Sequence, residues 1–168
     1  MKTIQLSELS RRYSVRRLCM DDAEMLLAFC KRNTQYYLYC GKEPDLELIR
    51  QDLQIAPPGI PMEQKYYTGF FEGGRLVAVM DLVAGYPDEE SAFIGFFMMD
   101  RDRQGKGIGS GIISEALACL RRLDFHRCQL GIDKDNPQSN RFWKKNGFEV
   151  IREVKMDEGT VLLAEKKL

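Results

Sequence analysis

Residues 98–111 read MMDRDRQGKGIGSG, so that an apolar segment ends in a short charged turn and glycine then occupies every second position. These glycines are Gly105, Gly107, Gly109 and Gly111. Because glycine has no Cβ, backbone N–H groups at such positions can approach a ligand that a larger residue would exclude. If a helix begins here, its unpaired N–H groups and partial positive charge suit an anion. The pattern predicts a cradle for a diphosphate group.

Two common phosphate-binding motifs do not fit this segment. The P-loop requires serine or threonine after its lysine, whereas Lys106 is followed by Gly107. The dinucleotide fingerprint G-x-G-x-x-G requires glycine at position 110 or 112, and these positions hold Ser110 and Ile112. What remains is Gln104, two residues, Gly107, one residue and Gly109. Taken alone, this short pattern is also compatible with a flexible turn that binds nothing.

A second segment, residues 136–150, reads NPQSNRFWKKNGFEV. Together the two segments resemble the GNAT N-acetyltransferase superfamily, whose acetyl-CoA signature is Gln or Arg, two residues, Gly, one residue, then Gly or Ala. The same family has an asparagine after its fifth strand, a helix, and a Gly-Phe pair that opens the sixth strand; Asn136 and residues 147–148 match these positions. The resemblance covers the chain from about residue 13 to the C-terminus and is strongest over residues 91–150.

The elements that must position these motifs follow from hydrophobic patterning and turn signals. An apolar face every three to four residues predicts a helix, and short β-branched or apolar runs between turns predict strands. Helices are predicted at about 21–32, 45–55, 107–123 and 137–145, and strands at 13–18, 66–72, 76–84, 92–99, 127–132, 149–155 and 160–165. Strand 92–99 is almost wholly apolar, as a buried strand would be.

The resemblance implies an α/β fold with a mixed, mostly antiparallel sheet of six to seven strands, flanked by about four helices. The central fourth and fifth strands are expected to splay apart and to admit the pantetheine arm of the cofactor. Residues 1–168 are expected to form a single domain of this kind, a length that can bury a sizeable core.

The cofactor implied by the resemblance is acetyl-CoA. Backbone groups at the end of the fourth strand would pair with the pantetheine amides, and amides of residues 105–110 would hold the diphosphate. Asn136 matches the family asparagine near the sulfur, although its simpler role is to cap the following helix. Trp143 would pack beside the sulfur. The expected cofactor-binding residues are Phe97, Met98, Met99, Gln104, Gly105, Lys106, Gly107, Ile108, Gly109, Ser110, Asn136 and Trp143.

The implied reaction is attack of a primary amine on the thioester, with a backbone N–H at Met98 or Met99 as the oxyanion donor. An alkylammonium of pKa ~10.4 is less than about 0.1% neutral at pH 7, so a base or a desolvating pocket is needed. Asp81 is the candidate base or ammonium anchor, although pairing with an arginine or exposure to solvent is an equally simple role. Trp143 stands where the family often has an acidic tyrosine, and an indole N–H cannot act as an acid.

The acceptor is expected near the first helices and the turn between the third and fourth strands. Tyrosine offers an apolar face with a polar tip, which suits a small amine or a peptide amine; half-buried tyrosines that close a lid explain the same residues equally well. The expected acceptor residues are Asn33, Tyr36, Tyr37, Tyr39 and Tyr86. Two other functions stay open, namely a non-catalytic acyl-CoA sensor and an interaction module without a cofactor.

Composition narrows the partners. Lys plus Arg and Asp plus Glu number 25 each, so no overall field favours nucleic acid or membrane. With no apolar run long enough to span a bilayer and no signal peptide, the expected location is the cytoplasm. Five scattered cysteines predict reduced, buried thiols, and His126 as the only histidine predicts no metal site. By analogy with the family, the C-terminal hairpin could form a homodimer.

Overall fold

A seven-stranded sheet organises the protein, and the structure, a computed structural model, describes residues 2–168. The spatial order of the strands is β1-β2-β3-β4-β5-β7-β6. Among the strand pairs of the described residues, only β4–β5 is parallel, which confirms the expected mixed and mostly antiparallel sheet. The strands are β1 (Ser14–Arg17), β2 (Lys65–Glu72), β3 (Arg75–Ala84), β4 (Ser91–Met99), β5 (Arg127–Asp133), β6 (Glu149–Met156) and β7 (Gly159–Lys167).

Within residues 2–168, five α-helices flank the sheet, one more than the sequence predicts. They are α1 (Ala23–Lys31), α2 (Thr34–Cys40), α3 (Leu46–Gln54), α4 (Ile108–Arg122) and α5 (Pro137–Lys145). The additional helix is α2, which has seven residues, no buried residue, and an end at Gly41 with φ +68°. Residues 36–40 are all aromatic or apolar, so the sequence shows no separate apolar stripe from which this helix could be predicted.

The two faces of the sheet carry separate apolar clusters. On one face, α4 packs its predicted stripe, which includes Ile112, Ile113 and Leu120, against the sheet. On the other face, α1 and α3 cover the first strands through residues such as Leu26 and Leu53. Among the helices described, none is both long and apolar enough to cross a membrane.

The parallel strands β4 and β5 separate after a short shared stretch. Their pairing runs from Ser91↔Arg127 to Ile94↔Leu130, yet β4 continues to Met99. Within the part of the chain that the structure describes, the β5-facing edge of residues 95–99 therefore has no strand partner, which confirms the expected splay. The splay also explains why β4 is less buried than its apolar sequence predicts, with Gly95 exposed and Phe96 and Phe97 half-buried.

The prediction of five buried thiols is wrong at two positions. All five cysteines are free, and Cys30, Cys119 and Cys128 are buried. Cys19, however, is exposed, and Cys40 is half-buried at the end of the short helix α2. The spacing of cysteines along a sequence argues against disulfides and metal sites, but it does not show whether each side chain is buried.

Candidate functional site

A cleft opens where β4 separates from β5, with the glycine-rich loop and α5 on its other sides. It brings together residues from both sequence motifs and from the α1–α2 junction. The lining residues predicted from the sequence are Asn33, Tyr36, Phe97, Met98, Met99, Gln104, Gly105, Gly107, Gly109, Ser110, Asn136 and Trp143. Five further lining residues were not predicted, namely Arg103, Gln138, Ser139, Phe142 and Lys145.

The glycine-rich loop needs glycine for two different reasons. Gly105 and Gly107 have φ +72° and +76°, a conformation that side chains other than glycine rarely adopt. At Gly109, in the first turn of α4, a Cβ would lie 3.2 Å from Met99 Cγ and 3.3 Å from Phe142 Cε2. The first two glycines shape the turn, whereas Gly109 lets the helix approach β4 and α5 closely.

Two residues of the predicted cofactor set direct their side chains elsewhere. Lys106 donates a hydrogen bond of 2.9 Å from Nζ to the backbone oxygen of Asp102. Lys106 and Ile108 line a separate depression beside Arg12 and Tyr13, not the cleft. Neither residue lines the cleft, so a ligand there can meet only the backbone of Lys106 and Ile108.

Gln104 joins three elements around the cleft mouth. Its Nε2 donates hydrogen bonds to Oδ1 of Asn33 at 2.6 Å and to the backbone oxygen of Met99 at 3.2 Å. Its Oε1 accepts a long hydrogen bond of 3.5 Å from Nε2 of Gln138 on α5. The side chain that the motif specifies therefore ties the loop to the α1–α2 junction and to β4.

Asn136 has the capping role as well as a place in the cleft wall. Its Oδ1 accepts a hydrogen bond of 3.0 Å from the backbone N–H of Ser139 in the first turn of α5, and Pro137 occupies the first helical position. Asn136 is 3% exposed. Because this oxygen is engaged by the helix, the side chain offers a ligand chiefly its amide nitrogen.

An aromatic group forms the floor of the cleft. The ring centroid of Trp143 lies 4.9 Å from that of Phe142, 6.0 Å from Phe97 and 5.2 Å from Phe148, all in edge-to-face geometry. Trp143 is 6% exposed. Its packing is that of a buried wall residue, with an indole N–H that can donate a hydrogen bond but cannot titrate.

The predicted acceptor residues are only partly brought together. Asn33 and Tyr36 line the cleft, and the Tyr36 ring packs 5.7 Å from Phe96. Burial raises the pKa of the Tyr36 phenol, so that it is neutral at physiological pH. Tyr37, Tyr39 and Tyr86 lie outside the cleft, with Tyr86 packed 5.5 Å from Phe93 at the opposite end of β4.

Asp81, the candidate base, pairs with a lysine and not with an arginine. Its Oδ2 accepts a hydrogen bond of 2.7 Å from Nζ of Lys65, which is 5% exposed. Burial raises the pKa of the Asp81 carboxyl, and the charge and hydrogen bond of Lys65 oppose that rise. Asp81 lies behind β4 on the α1–α3 face and is not part of the cleft wall.

The five lining residues that sequence reasoning missed are two basic, two polar and one aromatic residue of the motif segments. Arg103 precedes Gln104 and is held by Glu72 at 2.5 Å. Lys145 lies in the last turn of α5. A signal was available in principle, because all five missed residues fall within the two motif segments. Their orientation toward the cleft, however, depends on how the loop and α5 pack.

The geometry of the cleft fits coenzyme A. It combines an unpaired strand edge, a glycine turn, and two basic lining residues, Lys145 and the Glu72-paired Arg103. An extended amide arm and a diphosphate require these features. No group of three His, Cys, Asp or Glu side chains suited to a metal ion occurs within residues 2–168.

Comparison with known proteins identifies one family. The sequence model of the acetyltransferase (GNAT) family matches residues 26–148, which is most of the chain and includes both motifs. No protein with a curated description matches this sequence.

Solved structures of acetyltransferases share the fold over nearly their whole length. An acetyltransferase from Thermus thermophilus superposes with a TM-score of 0.76 at 24% identity, covering 93% of this chain and 97% of that chain. RimL, a ribosomal L7/L12 alpha-N-protein acetyltransferase in complex with coenzyme A, gives 0.72 at 19% identity, covering 98% of both chains. The aminoglycoside acetyltransferase AAC(6')-Ib in complex with coenzyme A gives 0.71 at 16%, covering 92% and 94%.

Proposed function

Because this chain belongs to the acetyltransferase (GNAT) family and is therefore an acyltransferase that uses acetyl-CoA, we propose that it acetylates the primary amine of a small molecule or a peptide. The observation that carries the proposal is the unpaired edge of residues 95–99, which leads directly to the glycine-rich loop. A strand edge of this kind can bind an extended amide arm as it would bind another strand. The loop then supplies N–H groups for the diphosphate.

Each part of the cleft has a proposed role toward acetyl-CoA, which supplies an activated thioester carbonyl. The backbone of Phe97, Met98 and Met99 holds the pantetheine arm, and the amides of residues 105–110 hold the diphosphate. The side chain of Gln104 fixes the loop, while Asn136 and Trp143 contact the sulfur end. A backbone N–H at Met98 or Met99 stabilises the negative charge that develops on the carbonyl oxygen, a contribution of a few kcal/mol.

The leaving sulfur has no acidic side chain at Trp143. A thiol of pKa roughly 8.5 that leaves as thiolate at pH 7 forgoes about 1.5 pKa units, or ~2 kcal/mol. That deficit slows the reaction but does not prevent it. We therefore assign Trp143 to packing and keep the assignment of an acetyltransferase.

Two observations support a small-molecule or peptide amine as the acceptor, namely the residues at one end of the cleft and the names of the similar proteins. Asn33 and Tyr36 supply one amide and one neutral phenol there, with no array of carboxylates for a polycation among the lining residues described. The structural neighbours carry names for both kinds of acceptor, an aminoglycoside and a ribosomal protein. Tyr37, Tyr39 and Tyr86 stay proposed acceptor residues only for a substrate that extends beyond the cleft.

The test is incubation of the purified protein with acetyl-CoA and a panel of alkylamines and peptide N-termini. Acetylated product is measured by mass spectrometry, because exposed Cys19 would react with thiol reagents. We expect turnover with at least one class of amine. The variant Gly107→Val should show none, because valine cannot adopt the φ of +76° at this position without strain. Binding of CoA without turnover on any amine would indicate a non-catalytic sensor, and no binding would indicate an interaction module.

We also propose that the protein forms a homodimer through the β6–β7 hairpin, because apolar residues of β6 are exposed. Every residue of β6 except Val154 is exposed, including Val150 at 52%, Ile151 at 49% and Met156 at 59%. Exposed apolar residues on an edge strand are typical of an interaction surface. Sedimentation should give twice the monomer mass for the protein, and the monomer mass for Ile151→Lys; a monomeric protein at micromolar concentration would refute the dimer.

A further inference from the structure

A buried ion pair lies behind β4, close to the point where β4 and β5 separate. Lys65 on β2 and Asp81 on β3 are 5% and 9% exposed, and Nζ and Oδ2 are 2.7 Å apart. Replacing such a pair with apolar residues is often neutral or even stabilising, so a buried pair is weak support for a purely structural role. Neither residue belongs to the cofactor-binding segments.

Asp81 is only partly satisfied by its surroundings. Its Oδ1 is buried and has no hydrogen-bond partner within residues 2–168. Besides Lys65, β2 places Tyr67 directly across from Asp81, and Asp52 of α3 is near enough to act on Asp81 by its charge. The residues of β4 are all uncharged, and Cys30 of α1 lies near Tyr67. Burial raises the pKa of Asp81, with Lys65 opposing. The carboxylate is thus a stronger base than an exposed aspartate.

Gly95 places no side chain between this carboxylate and the start of the splay. A Cβ at position 95 would lie 2.9 Å from Oδ2 of Asp81, and Gly95 itself is exposed. The last β4–β5 pair, Ile94↔Leu130, immediately precedes it. On the other side, Phe96 is the cross-strand partner of Asp81 and packs against Tyr36, a residue of the cleft wall.

We propose that Asp81 is the base that binds and deprotonates the acceptor, which reaches Oδ2 across Gly95, and that the acceptor is therefore a primary alkylamine that is cationic in solution. This inference rests on the proposed function. Lys65 is a positioning residue that holds the carboxylate toward Gly95. Asp52, exposed on α3, offers a route by which the proton can leave to solvent.

The proton and electron balance is complete with these groups. The ammonium gives one proton to Oδ2 of Asp81, and the neutral nitrogen forms a bond to the thioester carbon. The C–S bond breaks with its electron pair on sulfur, which takes the second proton from nitrogen as the thiol is released. Proton transfer to a positioned base typically accelerates such reactions by about 10²–10⁴-fold.

The first test compares two nucleophiles on Asp81→Asn. We expect kcat/KM for an alkylamine to fall about 10²–10⁴-fold, the range lost with a positioned base. Hydroxylamine is already neutral at pH 7, so its acetylation should fall only a few-fold, and affinity for CoA should not change. Equal losses for both nucleophiles, or no loss for either, would overturn the assignment of Asp81. If the protein without substitutions binds CoA but acetylates no amine, the proposed function itself fails.

A second set of variants separates chemistry from folding. Asp81→Asn leaves the Lys65 charge buried without a partner, which is destabilising. The double variant Lys65→Met/Asp81→Asn removes both charges, and should fold while showing the same selective loss with alkylamines. Gly95→Ala should also reduce alkylamine turnover, because its Cβ crowds Oδ2. Full alkylamine activity in the double variant would overturn the proposal.

A third test uses the pH profile of Lys65→Met. Lys65 lowers the pKa of Asp81 by its charge and hydrogen bond, so removing Lys65 should raise that pKa. The base must be ionised, and the rise of kcat/KM with pH should accordingly move to higher pH in this variant. A purely structural lysine would lower activity without moving the profile, and that result would overturn the role given to the pair.

Discussion

Gln104 donates a hydrogen bond of 2.6 Å to the side-chain oxygen of Asn33, a residue 71 positions earlier in the chain. Asn33 is 6% exposed and in turn donates from Nδ2 to the backbone oxygen of Phe29 in α1. Three residues after Asn33, Tyr36 enters the cleft wall. The loop proposed to hold the diphosphate is thus tied to the helices proposed to receive the acceptor.

Asn33→Ala should weaken CoA binding without unfolding the protein. The substitution frees the amide of Gln104, and the loss of one such hydrogen bond amounts to about 0.5–1.5 kcal/mol, or roughly 2- to 13-fold in affinity. Calorimetric titration of CoA measures this change. Gln35→Ala, at an exposed position in α2, is the control and should bind as the unsubstituted protein does.

Gly109→Ala and Gly111→Ala should have opposite effects on stability. At position 109 the new Cβ would meet Met99 and Phe142 at 3.2 and 3.3 Å, and such overpacking typically costs about 1–3 kcal/mol. At position 111 nothing lies within 4 Å, so the gain in helix propensity, up to about 1 kcal/mol, should be realised. Urea denaturation gives both free energies of unfolding, and an equal effect at the two positions would refute the packing described for α4.

Trp143 should report cofactor binding through its fluorescence. It is the only tryptophan in the chain and lines the cleft beside Phe97. We expect a saturable change in emission on addition of CoA, with the same midpoint as calorimetry. Gly107→Val should give no such change. Binding that is detected by calorimetry but leaves the emission unaltered would show that the nucleotide binds away from this cleft.

Asp22→Asn should lower stability at neutral pH but not in strong acid. Arg16 donates two hydrogen bonds of 2.8 Å to the Asp22 carboxylate, which lower its pKa to about 2. Because this pKa lies below the unfolded value of about 3.9, the stabilisation is complete above that value and is lost as pH falls toward about 2. The difference in unfolding free energy, about 1 kcal/mol for a partly exposed pair, should shrink between about pH 5 and pH 2.

The sequence predicts the cleft well because its main features are local. A glycine turn after an apolar strand, and an asparagine before a helix, are both visible in short segments, and Gly107 and Asn136 occupy the predicted places. The helix α2 is missed because residues 36–40 form an unbroken aromatic and apolar run, in which no helical period is visible. Lys106 and Ile108 are expected in the cleft because they belong to the motif. Their side chains lie elsewhere, because the direction of a side chain depends on how the loop packs.

The Lys65–Asp81 pair could not be predicted, because it depends on strand register. Lys65 lies near Asp81 only because β2 and β3 pair with Tyr67 opposite Asp81. Likewise, nothing in the sequence marks Gly95 as the point where β4 and β5 separate, since the apolar run continues through it. Relationships between distant strands require the fold itself.

The most direct measurement of the central claim is a titration of CoA followed by backbone amide chemical shifts. We predict the largest changes at Gly105, Gly107, Gly109 and Ser110, with a second group at residues 97–99, because those N–H groups are proposed to hold the diphosphate and the pantetheine arm. Shift changes confined to other surfaces, such as the β6–β7 hairpin, or no change at saturating CoA, would contradict the account.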